Sequence, residues 1–342
     1  MSSNGRVEVG EALEKRRSKT SERIKELKGR LEEAEKLCGD KACVYATGSF
    51  GRGEASEHSD LDIFIVSDVS PKSEGVPERP LLDPLDEILI KADLIEAIRA
   101  MKIKDFSGGG EYLKRHTVTE LIGSLGTPQD DASNTFTARL LLLLESSPLL
   151  GEQAYRRITN GVIASYWKDY EDNKNSYRPA FLANDILRMW RTFCVNYEAF
   201  TQVDPPAQKA KRKLKNYKLK HSRLLTCYSA LLYLLAVHVQ NGTVSPTDAI
   251  KMIDITPTER LEWLIKQPEL TKAHTTVERL LQRYEEFLHR TDESEKVLVN
   301  RLLNDEQFNV QFKETAFELG DAVFEALEVI GAGNRFHRFL VV

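Results

Sequence analysis

The stretch of sequence that decides the fold runs from Thr47 to Glu54 (TGSFGRGE) and resumes from Ser59 to Val66 (SDLDIFIV). The residues before it, Ala42 to Ala46, are apolar and partly β-branched or aromatic, which is typical of a buried strand. Glycines then interrupt the pattern until the second apolar run begins. The sequence therefore predicts a strand, a tight glycine loop and a second strand.

The chemistry of the glycine loop suits phosphate. Gly48, Gly51 and Gly53 let the backbone turn sharply and approach a ligand closely. Successive amides in such a turn can form an anion-binding concavity. Ser49 adds a hydroxyl donor, and Arg52 offers a fixed positive fork for phosphate. The alternative for Arg52 is that it only braces the loop.

Two carboxylates open the second strand. Asp60 and Asp62 are two residues apart, so on a strand they share one face and are separated by roughly 6.6 Å along the chain. They can converge on metal ions about 3.5–4 Å apart, while Leu61 and Ile63 point into a core. Oxygen ligands of this kind suit Mg²⁺ or Mn²⁺. Either motif alone is typical of an ordinary turn or a solvated surface, but their order between apolar strands favours one functional unit.

Gly48-Ser49 followed by Ser59-Asp60-Leu61-Asp62 resembles the signature of the DNA polymerase β-like nucleotidyltransferase superfamily. The resemblance implies a small mixed sheet with helices on one side, two divalent ions, and transfer of a nucleoside monophosphate from an NTP with release of pyrophosphate. It also implies that Ser49 contacts the triphosphate and that Asp60 and Asp62 bind the ions. The motif is specific to the superfamily and not to any substrate.

Enzymes of this superfamily usually carry a third carboxylate on a later strand. Apolar residues at helical spacing predict a helix from Pro84 to about Ile103, which is a poor place for that ligand. The next strand-like stretch runs from Glu111 to Val118, and Glu111 is predicted as the third ligand or general base. The alternative is that Glu111 is an exposed strand-end carboxylate and that the two aspartates act with substrate oxygens.

Length and composition indicate two globular domains. The chain has 342 residues, of which 41% are hydrophobic and 29% charged, and its net charge of −4 argues against a generally basic nucleic-acid binder. Strand signals nearly end at a break near residue 130. We therefore expect an α+β fold: a nucleotidyltransferase domain over residues 1–130, with one long helix over 11–38, and an all-helical domain over 131–342 that closes the nucleotide cleft. The helix from Thr135 to Glu145 would be the hinge or the first helix of the second domain.

Neither a signal peptide core nor a run of about 20 apolar residues is evident, so no membrane association is predicted. The four cysteines lack Cys-x-x-Cys spacing, which favours reduced thiols in a cytoplasmic protein.

The helical half contains a strongly basic segment. From Gln208 to Arg223 the chain has eight lysines and arginines and no acidic residue. One interpretation is a triphosphate clamp, in which Lys218, Lys220 and Arg223 hold the β- and γ-phosphates opposite Ser49; the superfamily resemblance favours it. The others are an acceptor site for RNA or another polyanion, and a solvated helix face.

A second basic group lies on one helix face. Asn184, Arg188 and Arg191 are spaced at i, i+4 and i+7. Arg188 is a candidate nucleotide ligand, and the alternative is an ion pair with Asp185 or Glu198.

A narrower resemblance covers about 15 residues. The segments Thr137–Leu141 and Ser147–Gly151 are similar to a pattern in the protein uridylyltransferase branch of the superfamily, an arginine-containing helix followed by a glycine turn. The chain has neither the length nor the His-Asp hydrolase module of those regulatory enzymes, so their acceptor cannot be transferred. Arg139 in this segment is a ligand or, on the more common pattern, a core salt-bridge residue.

The acceptor is left open: a small molecule, a protein, an RNA end or a second nucleotide. The alternative to an active enzyme is a catalytically weak nucleotide sensor that keeps the fold. Apolar residues near the C-terminus are expected to pack in the core, with an oligomer interface as the alternative; they are Phe312, Phe317, Leu319, Val323, Phe324 and Leu327.

Overall fold

The computed structural model describes residues 10–71, 77–106, 110, 113–198 and 205–341. The chain divides into two compact units. The sheet unit comprises Arg17–Asp172 and Ala249–Thr256, and the helical unit comprises Met1–Arg16, Asn173–Asp248 and Pro257–Val342.

Short helices alternate with four strands in the sheet unit. The elements are α1 (Glu11–Gly29, which begins in the helical unit), α2 (Glu32–Cys38), β1 (Ala42–Thr47), α3 (Gly48–Gly51), β2 (Asp62–Ser67), α4 (Pro84–Ala100), β3 (Arg115–Thr117), α5 (Val118–Gly123), α6 (Gln129–Ala132), α7 (Thr135–Glu145), β4 (Ser147–Leu150) and α8 (Glu152–Tyr166). The strands are ordered β3-β2-β1-β4; β1 is antiparallel to β2 and β4, and β2 is parallel to β3. The α+β fold class and the mixed sheet are confirmed.

Helices cover both faces of the sheet, whereas the superfamily resemblance implied one. On one face, Val44 of β1 shares a core with Ala34 of α2 and Leu94 of α4. On the other, the Tyr45 hydroxyl donates to the Ala138 carbonyl of α7 at 2.9 Å, and its ring meets the Tyr155 ring of α8 edge-on. All six residues of β1 are buried for this reason.

The sheet unit extends to residue 172, past the break predicted near residue 130. The reason is β4, which pairs with the second edge of β1 and satisfies backbone groups that would otherwise be unpaired. Its four residues include Pro148 and gave no strand pattern in the sequence. The predicted helix over Thr135 to Glu145 is confirmed as α7, and it packs inside the sheet unit.

The long N-terminal helix predicted over residues 11–38 is interrupted. The amide of Leu31 donates to the Lys28 carbonyl, a tighter turn than that of an α-helix, and α2 then begins at Glu32. Leu31 is buried in the sheet core together with Leu27. Ala34 and Cys38 of α2 lie in the same core, so both helices pack against the sheet.

The helical unit is built from long helices. They are α9 (Ala180–Glu198), α10 (Pro206–Lys218), a π-helical turn (Leu219–Arg223), α11 (Leu224–Asn241), α12 (Pro246–Ile253, which ends in the sheet unit), α13 (Pro257–Ile265), α14 (Thr271–Arg290), α15 (Glu295–Asn304), α16 (Glu306–Gly331) and α17 (Arg335–Val341). One continuous helix over Pro206–Asn241 is long and apolar enough to cross a membrane, but 83% of its apolar window is buried inside the protein. Burial of this kind is typical of a core helix.

The C-terminal apolar residues divide between two faces of α16. Phe312, Leu319 and Val323 are buried, as predicted. Phe317 and Phe324 are exposed, so the expectation of core packing is wrong for these two. The residues on the buried face follow a helical period that does not include positions 317 and 324.

Candidate active site

The motif unit folds as a strand, one helical turn, a connection and a strand. The predicted glycine loop is thus partly helical, since Gly48–Gly51 forms α3 directly after β1. In the antiparallel β1–β2 pair, Thr47 lies opposite Asp62. The turn and the aspartate strand are therefore adjacent in space, as the motif predicts.

Gly48 adopts a backbone conformation that favours glycine. Its φ of +65° lies in the left-handed region, and a Cβ placed there would be 2.9 Å from Oδ2 of Asp62. A side chain at this position would strain the backbone and displace the Asp62 carboxylate.

Asp60 and Asp62 are both exposed, while Leu61 and Ile63 are buried in the sheet core. The predicted alternation is therefore present. β2 begins at Asp62, so Asp60 precedes the strand. Their exposed oxygen atoms have the donor chemistry that Mg²⁺ or Mn²⁺ requires.

Within the described part of the chain, no group of three or more His, Cys, Asp or Glu side chains is arranged to hold a metal ion. The predicted third carboxylate, Glu111, lies outside the described residues. The strand predicted over Glu111 to Val118 is observed as β3 from Arg115 to Thr117, because Val118 already begins α5.

Arg52 is buried and braces the turn, in agreement with the alternative considered for it. Its Nε donates to Oε2 of Glu54 at 2.9 Å, and its NH1 donates to Oε2 of Glu145 at 2.9 Å. Only 7% of the Arg52 side chain is exposed. With two carboxylates as partners, the guanidinium acts inside the protein, and direct phosphate contact by Arg52 has no support in this arrangement.

Glu145 is the functional-site residue that sequence reasoning missed. It ends α7, and its Oε1 accepts a hydrogen bond from the Gly48 amide at 3.0 Å while Oε2 binds Arg52. A Cβ on Gly51 would lie 2.0 Å from the Glu145 carbonyl oxygen, so the backbone of Glu145 also packs directly on the turn. The one available signal was a charged residue at the end of a five-leucine run.

Helix α1 holds the other side of the motif. The Thr20 hydroxyl accepts a hydrogen bond from the Ala55 amide at 2.9 Å. Arg23 donates to the Ser56 carbonyl and lies 4.7 Å from the centre of the Phe50 ring. Burial lowers the pKa of Arg23, and this is opposed by the nearby Glu57 and Glu26. Ser49 is half-buried in the turn. The turn is held by α1 on one side and by Glu145 on the other.

The predicted basic residues lie in the helical unit. Lys218 ends α10 and is exposed, while Lys220 and Arg223 lie in the π-helical turn that follows. π-Helical turns are rare in proteins, and those that occur are often found at functional sites. The Lys220 ammonium lies 5.7 Å from the Phe317 ring centre, and the Arg223 guanidinium 5.4 Å from that of Phe193.

Arg188 has a carboxylate within ion-pair distance, since its NH1 lies 3.6 Å from Oδ1 of Asp185. This agrees with the ion-pair alternative for Arg188. Its role as a nucleotide ligand stays a prediction, as do those of Lys218, Lys220 and Arg223.

Arg139 is a core residue. Its guanidinium is fully buried and makes two hydrogen bonds to Asp130, at 2.9 and 2.6 Å, with a third to the Tyr166 hydroxyl. Burial by itself raises the pKa of Asp130, but the bonds from Arg139, Thr135 and Ser124 outweigh it and lower that pKa. The network ties α5, α6, α7 and α8 together, so the salt-bridge alternative for Arg139 is the one observed.

Residues 24–123 match the family model of the nucleotidyltransferase domain. This agrees with the polymerase β-like superfamily and supports nucleotidyl transfer as the general activity; the uridylyltransferase branch is not confirmed. The search of curated proteins and the search of solved structures each found no match.

Proposed function

We propose that the protein is a metal-dependent nucleotidyltransferase that moves a nucleoside monophosphate from an NTP to an acceptor hydroxyl. The observation that carries this proposal is the apposition of Gly48 and Asp62 within the matched domain. It brings a turn suited to phosphate next to the exposed carboxylates of Asp60 and Asp62. In the reaction, the acceptor oxygen forms a bond to the α-phosphorus, the bond from that phosphorus to the bridging oxygen breaks, and pyrophosphate leaves.

Asp60 and Asp62 are the residues that would hold the divalent ion. Such an ion, when bound, supplies positive charge that activates the acceptor hydroxyl and neutralises the departing pyrophosphate. The protein's other contribution to catalysis is to position the NTP and the acceptor. Ser49 donates its hydroxyl hydrogen to a phosphate oxygen, and Glu145 with Arg52 holds the turn that carries Ser49 in place.

Glu111 remains the best candidate for the base that takes the acceptor proton. Since β3 runs parallel to β2, the chain enters β3 at the end of the sheet where Asp62 opens β2. Glu111 precedes Arg115, the first residue of β3, by four positions in the sequence.

The basic π-helical turn supports a role for the helical unit in binding the triphosphate. Lys218, Lys220 and Arg223 present three cations within six residues without an intervening carboxylate. We assign them to the β- and γ-phosphates, with the acceptor as a small molecule, protein, RNA end or second nucleotide.

The test incubates pure protein with each NTP labelled at the α-phosphate, with Mg²⁺ or Mn²⁺, and measures pyrophosphate release and the fate of the label. Label in a small product, on the protein or on added RNA identifies the acceptor class. NTP binding without pyrophosphate release under all conditions would favour the nucleotide sensor instead.

Asp60→Asn and Asp62→Asn remove charge with little change in shape. Each is expected to lower turnover at least about a hundredfold, because metal-ion stabilisation of the transition state is worth several kcal/mol. Glu57→Gln is the control, since Glu57 is an exposed carboxylate in the same connection. Wild-type turnover by either aspartate variant would overturn the proposal.

A further inference from the structure

Helix α16 carries an exposed apolar row on the face opposite its buried side. Val310, Phe317 and Phe324 are 48%, 69% and 60% exposed. They are spaced seven residues apart, so they lie on one face of the helix, with two turns between successive members. An exposed row that contains two large aromatic side chains is a surface that can bind another protein.

The helical unit itself leaves this row accessible. The Lys220 ammonium, 5.7 Å from the Phe317 ring centre, leaves most of that side chain exposed. Beside the row, a Cβ added to Gly320 would meet no heavy atom within 4 Å. A second helix could therefore approach this face closely.

Two opposite charges flank Phe317 at equal distances along the helix. Lys313 lies four residues before it and Asp321 four residues after it, and both are exposed. Neither makes an ion pair with any residue in the described ranges. Val310 and Phe324 lie seven residues before and after Phe317. A two-fold axis at Phe317 that relates two antiparallel copies of this face therefore places Val310 against Phe324 and Lys313 against Asp321.

We propose that α16 is a homodimer interface, in which α16 of a second copy packs antiparallel across a two-fold axis at Phe317. The contacts are Phe317 with its own copy, Val310 with Phe324 of the second copy, and Lys313 with Asp321 of the second copy. Each of the last two occurs twice, as a two-fold interface requires. The Lys–Asp pairs specify the antiparallel register.

The dimer is expected to be reversible. A contact made by one helix is at the small end of the range for specific interfaces. At its two ends, Glu306 would face Glu328 of the second copy, and these like charges weaken association. The protein should therefore change from monomer to dimer with rising concentration.

Sedimentation velocity across a concentration series tests association directly. Phe317→Asp is expected to weaken dimerisation at least tenfold, because it buries two carboxylates against each other on the axis. Leu85→Asp is the matched control: Leu85 is 70% exposed on α4, against 69% for Phe317. A wild-type protein that is monomeric at all concentrations, or equal association of wild type and Phe317→Asp, would overturn the proposal.

The register has its own test. Lys313→Asp or Asp321→Lys alone places like charges together and weakens self-association. Mixing these two variants restores opposite charges at both positions and favours a heterodimer, and the double variant Lys313→Asp/Asp321→Lys dimerises like the wild type. Restoration in neither case would show that these residues do not meet.

Phe317→Cys tests whether residue 317 lies on the two-fold axis. Mild oxidation of the dimer should give a disulfide-linked pair, because residues on a two-fold axis meet their own copies. Cys38, Cys43 and Cys227 are buried and Cys194 is half-buried, so the experiment uses a Cys194→Ser background. A dimer that forms no cross-link at position 317 while cross-linking efficiently through Phe324→Cys would contradict the proposed register.

Discussion

Gly48 and Asp62 meet across the β1–β2 pair so closely that a Cβ on the glycine would lie 2.9 Å from a carboxylate oxygen of the aspartate. The turn that contains Ser49 and the strand that presents Asp62 are thus one structural unit. Any change at Gly48 also moves a proposed metal ligand.

Gly48→Ala should therefore impair activity more than stability. The left-handed backbone costs an alanine roughly 1–2 kcal/mol, and the Asp62 carboxylate must shift to relieve the contact. We expect nucleotidyl transfer to fall at least tenfold while the protein remains folded at room temperature.

Steady-state transfer and urea unfolding measure the two effects. Gly123→Ala is the control, since Gly123 ends α5 with a negative φ and nothing within 4 Å of an added Cβ. Equal activity of both variants would show that the Gly48–Asp62 contact is not needed.

Glu145→Ala should strongly destabilise the sheet unit. It removes the acceptor for the Gly48 amide and one of the two carboxylates, Glu54 and Glu145, that hold the buried Arg52. Breaking one partner of a buried ion pair typically costs about 3–5 kcal/mol. Glu145→Gln keeps an oxygen acceptor for the Gly48 amide and should lose less stability than Glu145→Ala.

Urea unfolding of Arg52→Met, Glu145→Gln and the double variant forms a double-mutant cycle. We expect the double variant to be more stable than the sum of the single losses predicts, because neither buried charge is then left without the other. Additive losses would mean that the Arg52–Glu145 bond is not a coupled pair in solution.

Lys218→Ala, at the end of α10, and Arg223→Ala, in the π-helical turn, test the predicted phosphate role of these basic residues. Each should weaken NTP binding about tenfold, or roughly 1.4 kcal/mol, and change the affinity for the corresponding NMP little, because the lost charge acts on the β- and γ-phosphates. Lys213→Ala is the control, since Lys213 is exposed on α10 in the same basic segment. Isothermal titration with NTP and NMP gives both affinities; an unchanged NTP affinity in both variants contradicts the assignment.

His221 should make stability sensitive to acid. Burial lowers its pKa to about 4, and its ring stacks on Phe287 with centres 4.5 Å apart. Because the unfolded chain binds the proton near pH 6.5, the stabilising contribution of neutral His221 is complete above that pH and is lost as pH falls toward 4.

We expect the free energy of unfolding to fall by about 2–3 kcal/mol from this group between pH 7 and 4.5. His221→Phe keeps an aromatic ring but loses the hydrogen bond of Nδ1 with the Tyr217 carbonyl, so it starts less stable and declines less steeply. Denaturant unfolding at the two pH values measures the difference in slope. Parallel declines would show that His221 does not titrate in this way.

Local features of the site could be predicted from the sequence because they depend on neighbours along the chain. The alternation of Asp60 and Asp62 with Leu61 and Ile63 follows from the two-residue period of a strand, and the turn before it follows from glycine. The α7 helix was predicted with its observed bounds, Thr135 to Glu145. These patterns were enough to predict the α+β fold class and the nucleotidyltransferase domain.

The tertiary structure alone decided which distant residues complete the site. Glu145 is 97 positions from Gly48. No sequence pattern around Glu145 indicates that its carboxylate would accept a hydrogen bond from the Gly48 amide. The same holds for β4, which belongs to the sheet only because β1 offers it an edge. Periodicity assigned Phe317 and Phe324 to a helix, but whether a helix face is covered depends on what packs against it, and that is a property of the folded chain.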